Sequence, residues 1–282
     1  MSFQLTAQAA ESVELRKLYI DLLMKCLTMW LWEARDGEQI QPFGNDLRSR
    51  ARNFVKRTLG REVPPKRDAQ TKRMLGRDWP QLAHTMIGWK RLDNLRMCLE
   101  DTLAKGVPGD FIETGVWRGG ATILMRGVLK AYSVSDRRVF VADSFAGLPP
   151  PDPAKYPADK GSMHHEVTQL AISVEEVRRN FERYGLLDNQ VCFLKGWFKD
   201  TLPTAPIQRL AVARLDGDMY ESTMDALVAL YPKLSVGGYL ILDDYQSVAG
   251  CRMAAEDYRT AHGIKDAIER IDEDGVFWRR TC

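Results

Sequence analysis

The spacing of hydrophobic residues changes along the chain and divides it into two regions. Over residues 7–34, apolar side chains recur at every third or fourth position, which is typical of an amphipathic helix. The same spacing returns over residues 89–105, after an irregular polar stretch. From residue 110 onward, short apolar runs alternate with helical segments. The pattern therefore predicts a helical N-terminal extension, residues 1–105, followed by an α/β domain, residues 106–282.

Five short apolar runs bounded by turn residues predict buried strands. They end at Glu113, Asp143, Leu194, Asp216 and Asp243, and the helices expected after them cover residues 121–132, 174–184, 222–231 and 251–262. Repeated strand–helix units predict a parallel sheet with helices on both faces. The Asp-Gly pair at residues 274–275 predicts a terminal hairpin that adds an antiparallel edge strand.

Acidic residues stand at the carboxyl ends of two predicted strands. Asp216 and Asp218 follow one strand, and Asp243 and Asp244 follow the next. Open α/β sheets bind their ligands at this edge, so the four carboxylates are expected to meet there. They would repel one another without a positive charge between them, and a hard cation such as Mg2+ is the simplest candidate. Alternatively, Asp218 caps the following helix, or one of the Asp243–Asp244 pair only caps its loop.

The loop after the first predicted strand, residues 113–120, lies where a doubly wound fold holds its cofactor. It lacks both the G-x-G-x-x-G dinucleotide fingerprint and the phosphate-binding P-loop. Glu113 would repel a pyrophosphate but suits a cationic amino group, and Asp143 ends the second strand where an acid binds ribose hydroxyls. A ligand with an amino group and a ribose but no phosphate is S-adenosylmethionine. The alternatives are a helix-dipole or salt-bridge role for Glu113 and a turn role for Asp143.

Composition and charge indicate the compartment of the protein but name no partner. The 282 residues carry a net charge of +2, and the five cysteines are scattered with no C-x-x-C, which favours free thiols in a reducing compartment. The most apolar early stretch, residues 15–32, is interrupted by charges, so no membrane span or signal peptide is expected. We therefore expect a cytoplasmic protein.

Positive charge is concentrated in residues 48–73, which hold ten Lys or Arg and two acids. This stretch lies in the irregular polar segment 36–78, which is expected to be flexible. It is either a solvated connector or a lid over an anionic or polar substrate. Nucleic-acid binding is disfavoured, since no aromatic ladder accompanies the charge.

Five motifs in order resemble the macrocin O-methyltransferase family, which methylates deoxysugar hydroxyls of macrolide and aminocoumarin antibiotics. The motifs are residues 110–120 (DFIETGVWRGG), 141–145 (VADSF), 196–201 (GWFKDT), 215–218 (LDGD) and 242–245 (LDDY). The resemblance implies a Rossmann-like class I methyltransferase with a mostly parallel seven-stranded sheet. It also implies the cofactors S-adenosylmethionine and Mg2+ and a small-molecule glycoside as acceptor, with no nucleic-acid or membrane partner.

The resemblance also assigns roles to individual residues. It places the methionine moiety against the first loop, at Glu113, Thr114, Gly115 and Gly119, and the ribose against Asp143 with Ser144 beside it. The adenine is placed beside Gly196, Trp197, Phe198 and Asp200. The metal is placed on Asp216, Asp243 and Asp244. Asp218 matches a general base. The methylated hydroxyl, the sugar and the aglycone are not fixed by these motifs.

Other interpretations stay open at this point. Asp216-x-Asp218 fits the D-x-D of metal-dependent glycosyltransferases, and the same cofactor and metal would also serve a catechol or phenol O-methyltransferase. A non-enzymatic adaptor would leave the acidic strand tips unexplained. His164, His165 and Glu166 form a further candidate for a metal ligand or base, although such residues are commonly exposed. The apolar face of the first helix favours a homo-oligomer, a dimer or higher.

Overall fold

The computed structural model describes residues 2–32 and 68–282, and over residues 2–10 it describes only the backbone. Most of the basic stretch 48–73 lies outside the described residues, as does most of the polar segment 36–78, for which the sequence leaves a flexible connector or a lid as alternatives. In the described part of the chain, no helix is both long and apolar enough to cross a membrane.

In the described residues before the sheet, the chain forms three helices. They are α1 (Ser2–Leu27), α2 (Ala69–Met74) and α3 (Gly88–Ala104). Helix α1 begins and ends earlier than its hydrophobic spacing predicts. It buries Ile20, Leu23, Met24 and Leu27 against the rest of the molecule and leaves other apolar side chains of the same helix exposed, namely Val13, Leu15, Leu18 and Leu22.

Up to residue 261 the remaining elements alternate between strands and helices, as the sequence predicts, with the short helix at residues 198–201 as an addition that it does not predict. They are β1 (Asp110–Thr114), α4 (Gly120–Ala131), β2 (Val139–Asp143), α5 (Val174–Arg183), β3 (Val191–Lys195), α6 (Phe198–Thr201), β4 (Leu210–Leu215), α7 (Tyr220–Leu230), β5 (Leu234–Leu242), α8 (Ala249–Ala261), β6 (Glu269–Arg270) and β7 (Val276–Arg279). They form one seven-stranded sheet in the order β3-β2-β1-β4-β5-β7-β6. Strands β1 to β5 are parallel, so the α/β fold class is confirmed.

Both faces of the sheet are covered, which explains why β1, β2 and β4 are buried at almost every position. Phe111 packs into a cluster with α1, α3, α4 and α5, whereas its neighbour Ile112 packs into a second cluster with α7 and α8. The alternation follows from the two-residue period of a strand. The predicted terminal hairpin is confirmed, because β7 pairs antiparallel with β5, and β6 forms the edge beside it.

Candidate active site

A cavity of about 410 Å³ opens at the carboxyl ends of the parallel strands. This size is within the range of small-molecule sites. Loops after β1, β2, β3, β4 and β5 contribute to its wall, as does the segment between α2 and α3. The wall includes Glu113, Gly115, Asp143, Ser144, Trp197, Phe198, Asp216, Asp218, Asp243 and Asp244. Ten of the fourteen residues predicted to form the site therefore lie around one cavity.

The other four predicted site residues lie outside the described wall but shape the loops behind it. Thr114 is fully buried, and its carbonyl accepts a hydrogen bond from the Asp216 amide. Gly119 has φ +86° at the residue before α4. The Gly196 amide donates to the Asp143 carbonyl, and the Asp200 amide donates to the Trp197 carbonyl.

At Gly115 the loop that follows β1 lies against the backbone that follows β4. Its φ is +83°, and a Cβ at this position would lie 1.7 Å from the Asp216 carbonyl oxygen. Only glycine fits such a contact, since it lacks the Cβ and tolerates positive φ. This close approach brings the loop that follows β1 next to the first carboxylate that follows β4.

Three of the four acidic residues at the strand ends form a group that fits a metal ion. Asp216, Asp243 and Asp244 each offer a carboxylate oxygen, and these atoms lie within 4.8 Å of one another. Asp218 lies beside them at φ +58°, and its amide donates to Asp244 Oδ2 over 3.3 Å. Helix α7 is not capped by Asp218; instead Asp159 accepts hydrogen bonds from the amides of Tyr220 and Glu221. The geometry therefore leaves the Asp218 carboxylate free of the capping role considered as an alternative.

Burial and mutual repulsion dominate the electrostatics of this group. Burial, then the charge of Asp243, raises the pKa of Asp216 to about 6, while Arg214 lowers it. Burial, then the charges of Asp216 and Asp243, raises the pKa of Asp218 to about 8. Burial and the charge of Asp218 raise the pKa of Asp244 as well. Carboxylates held together in this way gain from a bound cation, which favours their ionised form.

Two buried arginines offset part of this negative charge. Arg214, which is fully buried, donates to Glu113 Oε1 over 2.5 Å, to Asp216 Oδ2 over 2.9 Å, and to Asp243 Oδ1. Arg91 on α3 donates to Asp243 Oδ2 and also contacts Asp272 and Asp274. Both oxygens of Asp243 therefore accept hydrogen bonds from guanidinium groups.

One carboxylate oxygen of Glu113 accepts a hydrogen bond, and the other has no hydrogen-bond partner among the described residues. Oε1 accepts from Arg214, whereas the buried Oε2 has no hydrogen-bond partner. Burial raises the pKa of Glu113 to about 8 despite the opposing effect of Arg214. A buried carboxylate oxygen without a donor is costly, and a cationic group in the cavity would supply the missing donor. Glu113 therefore does form the salt bridge considered as an alternative, with Arg214, but this salt bridge uses only one of its two carboxylate oxygens.

Asp143 holds the loop after β1 in place. Its Oδ2 accepts from the Val116 amide over 2.8 Å, and its Oδ1 accepts from the Phe145 amide over 2.7 Å. The neighbouring Ser144 hydroxyl donates to the Gly147 carbonyl over 2.6 Å. These contacts match the turn role considered for Asp143, and the residue also lines the cavity. Its contact with a ribose remains a prediction.

The segment between β2 and α5 brings His164 to the cavity. His164 Nε2 lies 3.8 Å from Asp218 Oδ1, and its Nδ1 lies 2.9 Å from the Ser162 hydroxyl. His165 instead lies beside Glu166, with Nε2 and Oε1 3.9 Å apart. Asp159 fixes the segment by bonding the first amides of α7. Only one residue of the His-His-Glu motif, His164, therefore lines the cavity.

The sequence reasoning missed the arginines and part of the aromatic wall. Arg214 was counted only as part of an apolar strand, although a single charged residue in such a run is a usable signal for a buried ion pair. Arg91 lies on a helix far away in sequence. Trp79 also lines the cavity and was not foreseen, and its ring centroid lies 6.4 Å from that of Trp117 in the predicted loop 113–120. Both residues have positive φ.

A sequence profile of the family described as macrocin O-methyltransferase (TylF) matches residues 16–280. The chain belongs to the macrocin O-methyltransferase family. It is therefore an O-methyltransferase that uses S-adenosylmethionine, as the family resemblance of the five motifs predicted. The glycosyltransferase and adaptor alternatives are excluded.

Three proteins named as O-methyltransferases are similar in sequence over most of this chain. The demethyldecarbamoylnovobiocin O-methyltransferase of Streptomyces niveus is 52% identical over 267 residues, which are 94% of each chain. The 8-demethyl-8-(2,3-dimethoxy-alpha-L-rhamnosyl)-tetracenomycin-C 4'-O-methyltransferase of Streptomyces olivaceus is 53% identical over 95% of this chain and 94% of its own. The mycinamicin III 3''-O-methyltransferase of Micromonospora griseorubida is 57% identical over 73% of this chain and 82% of its own.

Solved structures agree with the fold. The O-methyltransferase NovP superposes with a TM-score of 0.81 at 50% identity and covers 95% of this chain and 100% of its own. CalS11, a calicheamicin methyltransferase, superposes with a TM-score of 0.55 at 17% identity, covering 88% of this chain and 99% of its own. The second likeness supports the fold alone.

Proposed function

We propose that this enzyme is a Mg2+-dependent O-methyltransferase that moves the methyl group of S-adenosylmethionine to a deoxysugar hydroxyl of an antibiotic or similar glycoside. The observation that carries the proposal is the convergence of Asp216, Asp243 and Asp244 in the cavity that also contains Glu113. The relatives support the acceptor class, since one name specifies a rhamnosyl group and the others name novobiocin and mycinamicin compounds.

The cofactor is proposed to bind along the loops after β1, β2 and β3. Glu113 Oε2 lacks a donor and would accept from the amino group of the methionine moiety. Asp143 and Ser144 lie at the end of β2, where ribose hydroxyls are bound in this class of fold. Trp197 and Phe198, at the start of α6, supply the apolar wall for the adenine.

The carboxylates of Asp216, Asp243 and Asp244 fit a divalent cation by chemistry and by spacing. Hard cations prefer carboxylate oxygens, and these three side chains place oxygens within 4.8 Å of one another. When bound, such a cation supplies Lewis-acid stabilisation and a template for neighbouring hydroxyl groups. Burial, then the charge of Asp243, raises the pKa of Asp216 to about 6, and an added positive charge would favour its ionised form.

Asp218 is proposed to accept the proton of the acceptor hydroxyl. A sugar hydroxyl holds its proton too tightly for an aspartate to remove it beforehand, so proton transfer would accompany methyl transfer. Burial, then the charges of Asp216 and Asp243, raises the pKa of Asp218 to about 8. A cation on the neighbouring carboxylates would favour the ionised form of Asp218, which is the form that accepts a proton. A catechol or phenol acceptor ionises more readily and would need this base less.

The proposal is tested by incubating candidate glycosides and catechols with S-adenosylmethionine and Mg2+ and measuring the products by mass spectrometry. We expect a glycoside to gain one methyl group and the reaction to stop in excess chelator. Asp216→Ala should abolish the response to added metal. Full activity of purified Asp216→Ala enzyme in chelator would show that the metal assignment is wrong, and methylation of catechols alone would favour the phenol alternative.

A homo-oligomer is proposed to form through the exposed apolar face of α1. Leu15, Leu18 and Leu22 are each more than half exposed although they are large apolar side chains. Burying such a face against a second copy would remove apolar surface from water. Light scattering should give the mass of a dimer or higher, and Leu18→Glu should lower it. A monomeric wild-type protein at micromolar concentration would contradict the proposal.

A further inference from the structure

Arg214 stands between the two halves of the proposed site. In the parallel register of β1 and β4 it lies directly opposite Glu113. In the register of β4 and β5 it lies opposite Ile241, two residues before Asp243. Since side chains two positions apart share one face of a strand, Glu113, Arg214, Asp216 and Asp243 all lie on the same face of the sheet.

The guanidinium of Arg214 joins these groups through two of its nitrogens. Nη1 donates to Glu113 Oε1 over 2.5 Å and to Asp216 Oδ2 over 2.9 Å. Nη2 donates to Asp243 Oδ1. A planar guanidinium holds its donors in a fixed geometry, so a shift of one carboxylate is transmitted to the others. Arg214 is fully buried, and water therefore does not compete for these contacts.

The contacts of Arg91 differ from those of Arg214. It donates to Asp243 Oδ2 from the side of α3, and its other partners are Asp272 and Asp274 near the terminal hairpin and the Leu75 carbonyl. No contact of Arg91 with Glu113 occurs among the described residues. Arg91 therefore contacts only the proposed metal side, whereas Arg214 contacts both the metal side and the proposed cofactor side.

We propose that Arg214 is a positioning residue that couples binding of the cofactor's amino group at Glu113 to binding of a divalent cation at Asp216 and Asp243. This inference rests on the proposed function of the cavity. A donor on Glu113 Oε2 fixes the carboxylate, the carboxylate fixes the guanidinium, and the guanidinium holds Asp216 and Asp243 at the spacing that a cation requires. Each ligand therefore lowers the ordering cost of the other, which is positive coupling.

The coupling is tested first on the unmodified enzyme. The Kd of Mg2+ is measured by calorimetry without S-adenosylhomocysteine and at a saturating concentration of it; this product keeps the amino group of the cofactor. We expect the Kd of Mg2+ to fall at least about 5-fold, at the lower end of typical coupling energies. The Kd of S-adenosylhomocysteine should fall by the same factor at saturating Mg2+, because coupling is reciprocal. Equal Kd values in the two titrations would overturn the inference.

Three variants test whether Arg214 carries the coupling between the two ligands. Arg214→Met should raise the Kd of both ligands about 10-fold or more and remove their mutual effect. Arg91→Met should raise the Kd of Mg2+ and leave that of S-adenosylhomocysteine unchanged. Arg126→Met is the matched control, because it removes another buried arginine that pairs with Asp188 away from the cavity. It should preserve both Kd values and the coupling.

The outcomes separate this inference from the proposed function. If the unmodified enzyme bound no S-adenosylhomocysteine, the proposed function itself would fail. If both ligands bound independently, or if Arg214→Met weakened only the metal, the coupling would fail while the proposed function stood. Should Arg214→Met not fold, the two titrations of the unmodified enzyme still decide the question.

Discussion

His164 Nε2 lies 3.8 Å from Asp218 Oδ1, and the two residues come from different loops of the cavity. Burial lowers the pKa of His164, which favours the neutral imidazole near pH 7. A neutral ring that accepts at Nδ1 from the Ser162 hydroxyl, 2.9 Å away, carries its proton on Nε2 and can donate a hydrogen bond that orients the Asp218 carboxylate. Catalytic hydrogen bonds are often longer before substrate binds.

His164→Asn should therefore lower kcat about 10-fold or more, at the low end of general acid–base effects, while Kd for S-adenosylhomocysteine stays within twofold. Asparagine keeps a polar atom near the Nδ1 position and loses the one that faces Asp218. His165→Asn is the matched control, because His165 lies beside Glu166 instead. Steady-state kinetics measure both, and equal kcat values for the two variants would exclude the role of His164.

Asp218→Asn should lower kcat about 100-fold or more, because it removes the proposed proton acceptor with little change in shape. Binding of Mg2+ and S-adenosylhomocysteine should change little, since the proposed ligands of both lie elsewhere. Calorimetry and single-turnover assays make the distinction. A variant with unchanged kcat would show that another group, or solvent, takes the proton.

Gly115→Ala should destabilise the fold by roughly 3 kcal/mol or more, because overpacking against backbone adds to the strain of positive φ. The added Cβ would lie 1.7 Å from the Asp216 carbonyl oxygen. Gly106→Ala is the control, since φ is +62° and no atom lies within 4 Å of the added Cβ. That control should cost only about 1 kcal/mol, the cost of the left-handed conformation alone. Urea unfolding compares the two, and equal losses would show that the loop relaxes freely.

His84 should make the fold sensitive to mild acid. Burial, then the charges of Arg183 and Arg118, lowers its pKa from 6.5 to about 4. As pH falls through this interval, the unfolded chain binds a proton that the folded chain does not, so stability declines with falling pH. The loss is at most about 3 kcal/mol by pH 4. His84→Asn should reduce the difference in unfolding free energy between pH 7 and pH 5, and an unchanged difference would contradict this origin.

The strands, the helices after them and the terminal hairpin could be predicted from the sequence alone. Their hydrophobic periods are local properties of the chain, and turn residues mark their ends. The expectation that acids at the ends of two strands would meet also followed from local pattern, because parallel strands share one carboxyl edge. The family motifs added the class of reaction. None of these inferences required the distance between residues remote in sequence.

Only the tertiary structure showed which side chains oppose one another at that edge. Arg214 lies opposite Glu113 because of the register between β1 and β4, and a shift of one residue would turn the guanidinium to the other face. Arg91 reaches Asp243 across 152 positions of sequence, from a helix packed on the sheet. His164 lies near Asp218 in a segment that Asp159 anchors to α7. Local sequence determines which segments form strands. The register between strands and the packing of helices on the sheet depend on the whole core, and this register and packing determine how the charges of the site are arranged.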